Sequence, residues 1–76
     1  MNRDLVERIV NDFGFHPATD ITRPKHELVR RQCRALAAIL IDTCPSSREL
    51  SLALTHLEEV MFWSNAAIAR NEAPLE

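Results

Sequence analysis

Apolar residues recur at helical spacing over most of this 76-residue chain. Between residues 46 and 71 the stripe follows every three or four positions, with one serine in it: Leu50, Ala53, Leu54, Leu57, Val60, Met61, Ser64 and Ile68. Residues at this spacing share one helical face. The pattern therefore predicts a long helix over 46–71, and Ser46 with Glu49 has the spacing of a capping box at its start.

Two further helices are predicted before it. A short helix covers residues 2–12, with Leu5, Val6, Ile9 and Val10 on its apolar side. A longer helix covers 24–43 and begins at Pro24, because proline fits the first helical turn. The main buried face of this longer helix is predicted to be Leu28, Val29, Gln32, Cys33, Leu36, Ile39 and Leu40. Since the link after Thr43 is short, the second and third helices should form an antiparallel hairpin, with the third overhanging by about 9 Å.

The helices carry more apolar surface than one hairpin contact covers. Trp63 lies nearly opposite the stripe on the third helix, and the outward face of the second helix turns apolar at Ala37, Ala38 and Ile41. A chain of this length buries only about 60% of its unfolded surface. The sequence thus predicts an all-α single domain over residues 1–76: a short N-terminal helix, then a long antiparallel helical hairpin, assembled as a homo-oligomer.

Charge and aromatic residues point to candidate chemistry. The net charge of −2 disfavours a nonspecific binder of polymeric nucleic acid. Residues 23–34 nevertheless carry +4, which allows this segment to bind a small anion. The same run is also typical of a solvated helix face. Phe13 and Phe15 stand in the loop that follows the first helix. They either plug the end of the helical core or offer a stacking surface for a planar ligand.

Catalytic and metal chemistry find little support in the sequence. Cys33 and Cys44 form no CxxC motif and have no paired histidines, so we interpret them as reduced thiols and predict no metal site. No nucleophile elbow, phosphate loop or paired acidic motif is present, which disfavours an enzyme and any cofactor. The longest apolar run, residues 35–41, is far shorter than a membrane span. We expect a soluble intracellular protein that binds no membrane.

Residues 46–71 resemble a known hairpin. The segment Ser47-Arg48-Glu49-Leu50-Ser51-Leu52-Ala53-Leu54-Thr55-His56-Leu57-Glu58-Glu59, continuing through Val60-Met61-Phe62-Trp63 to Ala69-Arg70-Asn71, is similar to the helical hairpin of two groups of phage immune-evasion sponges. These are the anti-CBASS cyclic-nucleotide sponge (anti-CBASS protein two) and the hairpin part of the anti-Thoeris sponge. The similarity is looser over residues 13–45 and weak over the first helix.

The resemblance implies a non-enzymatic homohexamer that sequesters cyclic di- and trinucleotides in the cytoplasm of an infected bacterium and so blocks CBASS signalling. It implies a cyclic dinucleotide site at Phe15, His16, Pro17, Arg30 and Arg34, and a cyclic trinucleotide site at Trp63, Arg70 and Asn71. The family usually has tyrosine and lysine where this chain has Phe15 and Arg30. The chemical type is kept at both positions, but the tyrosine hydroxyl is lost.

A function of another class also fits the apolar excess. A small helical protein–protein interaction module, or a transcription-factor antagonist, would dock a partner helix on the exposed surface around Trp63. That interpretation gives no role to the pairing of Phe15 with Arg30, which are fifteen positions apart.

Overall fold

The computed structural model describes residues 2–72, which form three helices. These are α1 (Arg3–Phe13), α2 (Thr22–Thr43) and α3 (Arg48–Glu72). α2 and α3 pack along one another as an antiparallel hairpin, and α1 precedes them. The structure confirms the predicted all-α class, the short first helix and the hairpin. The end of α2 at Thr43 is as predicted, while the other five helix boundaries differ from their predictions by one or two residues.

The start of α2 is set by two threonines rather than by the proline. Thr19 Oγ1 accepts a hydrogen bond from the Thr22 backbone N–H at 3.1 Å, and Thr22 Oγ1 accepts one from the Thr19 N–H at 2.9 Å. This reciprocal pair reproduces a capping box with threonine in place of the acid. Thr22 is fully buried by this arrangement. The helix therefore starts two residues before Pro24, where the sequence predicted its beginning.

Ser47, not Ser46, caps α3. Ser47 Oγ accepts a hydrogen bond from the Leu50 N–H at 3.1 Å and donates to the Pro45 carbonyl at 2.9 Å. The predicted capping box between Ser46 and Glu49 is therefore wrong by one residue. Leu50, three positions after Ser47, has no carboxylate to accept a hydrogen bond from the backbone N–H of Ser47. Only the serine half of a capping box is therefore present.

This difference between adjacent serines can be measured. Ser47→Ala is expected to lower the free energy of unfolding by about 1 kcal/mol, because an N-cap hydroxyl is lost. Ser46→Ala, its matched control, is expected to leave the urea midpoint almost unchanged. Equal losses in the two variants would place the start of α3 elsewhere.

The three helices lie in a single layer. The molecule measures 49 × 32 × 13 Å, and a helix with its side chains is itself about 10–12 Å wide. The radius of gyration is 16.0 Å, compared with about 11 Å for a compact chain of this length. Among residues 2–72 no apolar side chain is buried. A domain needs a second packed layer to enclose a core, and one copy of this chain does not supply it.

Part of the predicted buried face of α2 is consequently open. Leu28, Leu36 and Ile39 are 48%, 44% and 57% exposed. At about 100° per residue they lie on the opposite side of α2 from Arg30 and Arg34. Val60 extends this surface onto α3 and is also exposed. We call these four residues the apolar face; the prediction that its α2 part is buried is wrong for a single chain.

At the open end of the hairpin, the start of α2 and the end of α3 lie nearly level with each other. Lys25, close to the start of α2, forms an ion pair with Glu72 at the end of α3. His26 Nδ1 lies 2.9 Å from Asn65 Oδ1 and joins the same two helices. The predicted overhang of about 9 Å is wrong, because α2 starts earlier and α3 later than expected. None of the helices described is long and apolar enough to cross a membrane.

Candidate ligand-binding site

An open groove runs between α2 and α3 on the side of the layer away from the apolar face. Its volume is about 540 Å³, within the range of about 300–1,000 Å³ that is usual for small-molecule sites. Most of its walls are apolar, and its charged members are two arginines and one glutamate: Arg30, Cys33, Arg34, Ala37, Ile41, Leu54, Leu57, Glu58 and Met61. The groove thus combines apolar walls with positive charge.

Three arginines in the middle of α2 keep their hydrogen-bond donors available. Arg30, Arg31 and Arg34 line a smaller cleft with Glu27. None of the three forms an ion pair with a described carboxylate, whereas five other basic residues do: Arg3, Arg8, Arg23, Lys25 and Arg70. A guanidinium offers a planar fork that fits a phosphate. An anion is therefore the ligand that this side of α2 suits best.

The loop between α1 and α2, residues 14–21, is called the aromatic loop here and presents an exposed ring, Phe15, which is 65% exposed. Phe13, which was predicted to lie in this loop, is instead the last residue of α1 and is 86% exposed. Neither ring therefore plugs the end of a helical core within one chain, and that interpretation is wrong for a single chain. Phe15 is also not among the residues that line the groove of Arg30 and Arg34. Within one chain, Arg30 and Arg34 line the same groove, and Phe15 lies outside it.

His16 has a structural contact that the sequence did not predict. Its Nε2 lies 2.7 Å from the carbonyl oxygen of Asn11, in the last turn of α1. A carbonyl can only accept, so Nε2 carries the proton and satisfies one of the carbonyls left free at a helix end. The other ring nitrogen, Nδ1, is enclosed and has no partner among the described residues. His16 therefore ties the aromatic loop to α1, and Pro17 follows it half-buried.

The far end of α3 holds the second set of predicted residues. Trp63 is 67% exposed, and Arg70 stands two turns further along the same face. Arg70 NH1 is 3.7 Å from Asp12 Oδ1, which joins α3 to the end of α1. Asn71 Nδ2 donates to the Ala67 carbonyl at 2.8 Å, within the last turn of its own helix. The structure thus brings Arg70 beside α1, a neighbour that the sequence reasoning missed.

Asp12 is the main omission of the sequence reasoning at this end. Its spacing from Arg8 predicts an intrahelical pair, which is present at 3.4 Å. Its contact with Arg70 joins positions 58 residues apart, and no local pattern predicts such a pair. Both cysteines are free thiols, and among residues 2–72 no cluster of His, Cys, Asp and Glu has the arrangement of a metal site.

A comparison with protein-family models decides the affiliation. The model described as "Acb2/Tad1, hairpin domain" matches residues 6–69 of the chain, which include most of α1 and nearly all of α3. The chain belongs to the Acb2/Tad1 hairpin family. This confirms the resemblance that the sequence showed most strongly over 46–71, and extends it to α1. No curated protein and no solved structure matches the chain.

Proposed function

We propose that this member of the Acb2/Tad1 hairpin family binds and sequesters cyclic oligonucleotide second messengers, and so blocks CBASS signalling in an infected bacterium. It does so as a homohexamer and without altering its ligand. Family membership supports a sponge of this kind. The observation that carries the proposal is the pair Arg30 and Arg34, which have no carboxylate partner among residues 2–72 and stand at the edge of an open, largely apolar groove.

Cyclic dinucleotides are the ligands proposed for this groove. They present two phosphates and two flat bases, which require charged forks and stacking surfaces. Arg30 and Arg34 supply the forks, and Phe15 supplies an exposed ring. His16 and Pro17 hold the loop that presents this ring. Because Phe15 does not line the groove within one chain, the complete pocket forms where copies meet.

Cyclic trinucleotides are proposed to bind at the far end of α3, at Trp63, Arg70 and Asn71. A hexamer with dihedral symmetry has two-fold and three-fold axes, and a cyclic dinucleotide and a cyclic trinucleotide match these axes. Each arginine is then used two or three times on one ligand. Repeated charge-assisted contacts raise affinity without a longer chain.

The exposed tryptophan favours one alternative. Trp63 and the apolar face together make a surface on which a partner helix could lie, as in a helical interaction module or a transcription-factor antagonist. This alternative needs no nucleotide. It predicts that the variant Trp63→Ala loses a protein partner while every cyclic nucleotide leaves the parent protein unaffected.

A thermal-shift panel of cyclic di- and trinucleotides tests the proposal. A ligand at a hundred times its Kd is expected to stabilise the folded protein by about 2.7 kcal/mol, because it binds only the folded form. The linear dinucleotide of the same bases is the matched control and should shift the melting temperature much less. Ligand recovered after denaturation should co-elute with the starting compound in chromatography. No shift with any cyclic nucleotide would reject the sponge, and recovery of linearised ligand would indicate an enzyme.

A further inference from the structure

Asp12 lies between two arginines at the junction of α1 and α3. Its Oδ2 is 3.4 Å from Arg8 Nε, and its Oδ1 is 3.7 Å from Arg70 NH1. The side chains of Asp12 and Arg70 are 25% and 33% exposed, so solvent screens this contact less than the more exposed pair of Arg3 with Glu7. Among residues 2–72, Asp12 is therefore the carboxylate that compensates the charge of Arg70.

The contact with Asp12 neutralises the charge of Arg70 but occupies none of its hydrogen-bond donors. A separation of 3.7 Å is an ion pair but is too long for a hydrogen bond, which needs about 2.7–3.2 Å. Arg70 has five N–H donors in a planar fork, and the structure gives it no hydrogen bond to another side chain among residues 2–72. Asp12 thus holds Arg70 in place electrostatically and leaves its donors free for a stronger acceptor.

We propose that Asp12 is a resident counter-ion that a ligand phosphate replaces at Arg70. This inference rests on the proposed function, because it assigns Asp12 a role at the proposed trinucleotide site. In the ligand-free protein Asp12 neutralises Arg70, which matters most where copies of Arg70 approach one another and would repel. When a phosphate arrives, the same carboxylate repels it.

The two effects of Asp12 have opposite signs, which separates this role from a merely structural one. Removing the charge should make the ligand-free protein less stable and its anion binding tighter. A residue that only supported the fold would weaken both when substituted. Asp12 is thus a positioning residue that adjusts the affinity of Arg70 for anions.

The variant Asp12→Asn tests the inference because it keeps the shape of the side chain and removes its charge. With inorganic pyrophosphate as the first probe, calorimetry should show binding about tenfold tighter than in the parent, since one nearby repulsive charge is gone. The melting temperature of the ligand-free variant should fall. With cyclic triadenylate as the second probe, the same gain is expected.

Glu7→Gln is the matched control. Glu7 lies on the same helix and forms the same kind of pair with Arg3, at 3.4 Å, so the change removes one charge and one exposed ion pair. Its pyrophosphate affinity should equal that of the parent. The double variant Asp12→Asn with Arg70→Gln should lose the tenfold gain, which assigns the effect to Arg70 rather than to Arg30 and Arg34.

A second measurement uses the unaltered protein and covers the case in which Asp12→Asn does not fold. Asp12 to Arg70 is the side-chain ion pair that the structure shows between α1 and α3. Amide hydrogen exchange of α1 should therefore become faster when pyrophosphate is bound, while exchange in α2 does not. Unchanged exchange in α1, or a folded Asp12→Asn that binds pyrophosphate no tighter than the parent, would overturn the inference. If the pyrophosphate results hold but cyclic triadenylate does not bind, the trinucleotide part of the proposed function fails and the role of Asp12 stands.

Discussion

Replacing Ile39 by glutamate is expected to dissociate the assembled protein and to abolish most of its helical structure. Ile39 lies on the apolar face with Leu28, Leu36 and Val60, and 57% of it is open to water in a single chain. In the proposed hexamer another copy covers this face. Glutamate there loses the burial of an isoleucine, worth about 1.5–3 kcal/mol, and adds the cost of enclosing a charge.

The surface area explains why so large an effect follows from one residue. A single chain exposes 6073 Å², whereas a compact protein of this mass exposes about 4,700 Å². The excess is larger than the roughly 800 Å² that each partner contributes to a standard interface. Since no apolar residue among 2–72 is buried, the proposed association would supply the core that the layer itself lacks. Folding and assembly should therefore be lost together.

Light scattering and circular dichroism at micromolar concentration measure the two losses. The parent should be a stable multimer, with six copies as the proposed number. Arg48→Glu is the control, because it places the same side chain at an exposed position at the start of α3, and this variant should keep the mass and the helicity of the parent. Two results would contradict the proposal that another copy covers the apolar face. One is a parent protein that is a compact monomer, and the other is an Ile39→Glu variant that remains assembled and stable.

The helices could be predicted because their signals are local. The stripe from Leu50 to Ile68 predicted α3, and the short link after Thr43 predicted the hairpin. The cap of α3 could not be predicted from the sequence, since two adjacent serines offer equivalent hydroxyls and only the backbone conformation selects Ser47. Thr19 was missed because its partner is a threonine, whereas the usual capping box has an acid or amide three residues later.

The site could be predicted only in part, because it depends on contacts between distant residues. Helical spacing placed Arg30 and Arg34 on one side of α2. The apolar wall opposite them, from Leu54 to Met61 on α3, required the hairpin to be packed. The contact of Arg70 with Asp12 joins α3 to α1, and no periodicity in the sequence predicts it. The arrangement of copies, which the proposed pocket requires, lies beyond what one chain determines.

The variants Arg30→Ala and Phe15→Ala are expected to lose most of the affinity for cyclic dinucleotides. Arg30 would lose a charge-assisted bond worth about 1.5–3 kcal/mol, and Phe15 would lose base stacking worth about 1–3 kcal/mol. The loss at Arg30 corresponds to about tenfold or more in Kd, and the loss at Phe15 to about fivefold or more. Both variants should remain multimers, because neither residue belongs to the apolar face. Calorimetry with a cyclic dinucleotide measures the affinity, and light scattering checks the assembly.

Arg31→Ala is the matched control for Arg30→Ala. It removes the same charge one position away, yet Arg31 lines only the smaller cleft with Glu27 and not the apolar groove. If binding depended on the general positive charge of α2, both variants would weaken equally, and the loss would shrink as salt is added. If it depends on the groove, Arg30→Ala should lose at least tenfold more than Arg31→Ala. Equal, small losses in both variants, with the multimer intact, would move the dinucleotide site away from this groove.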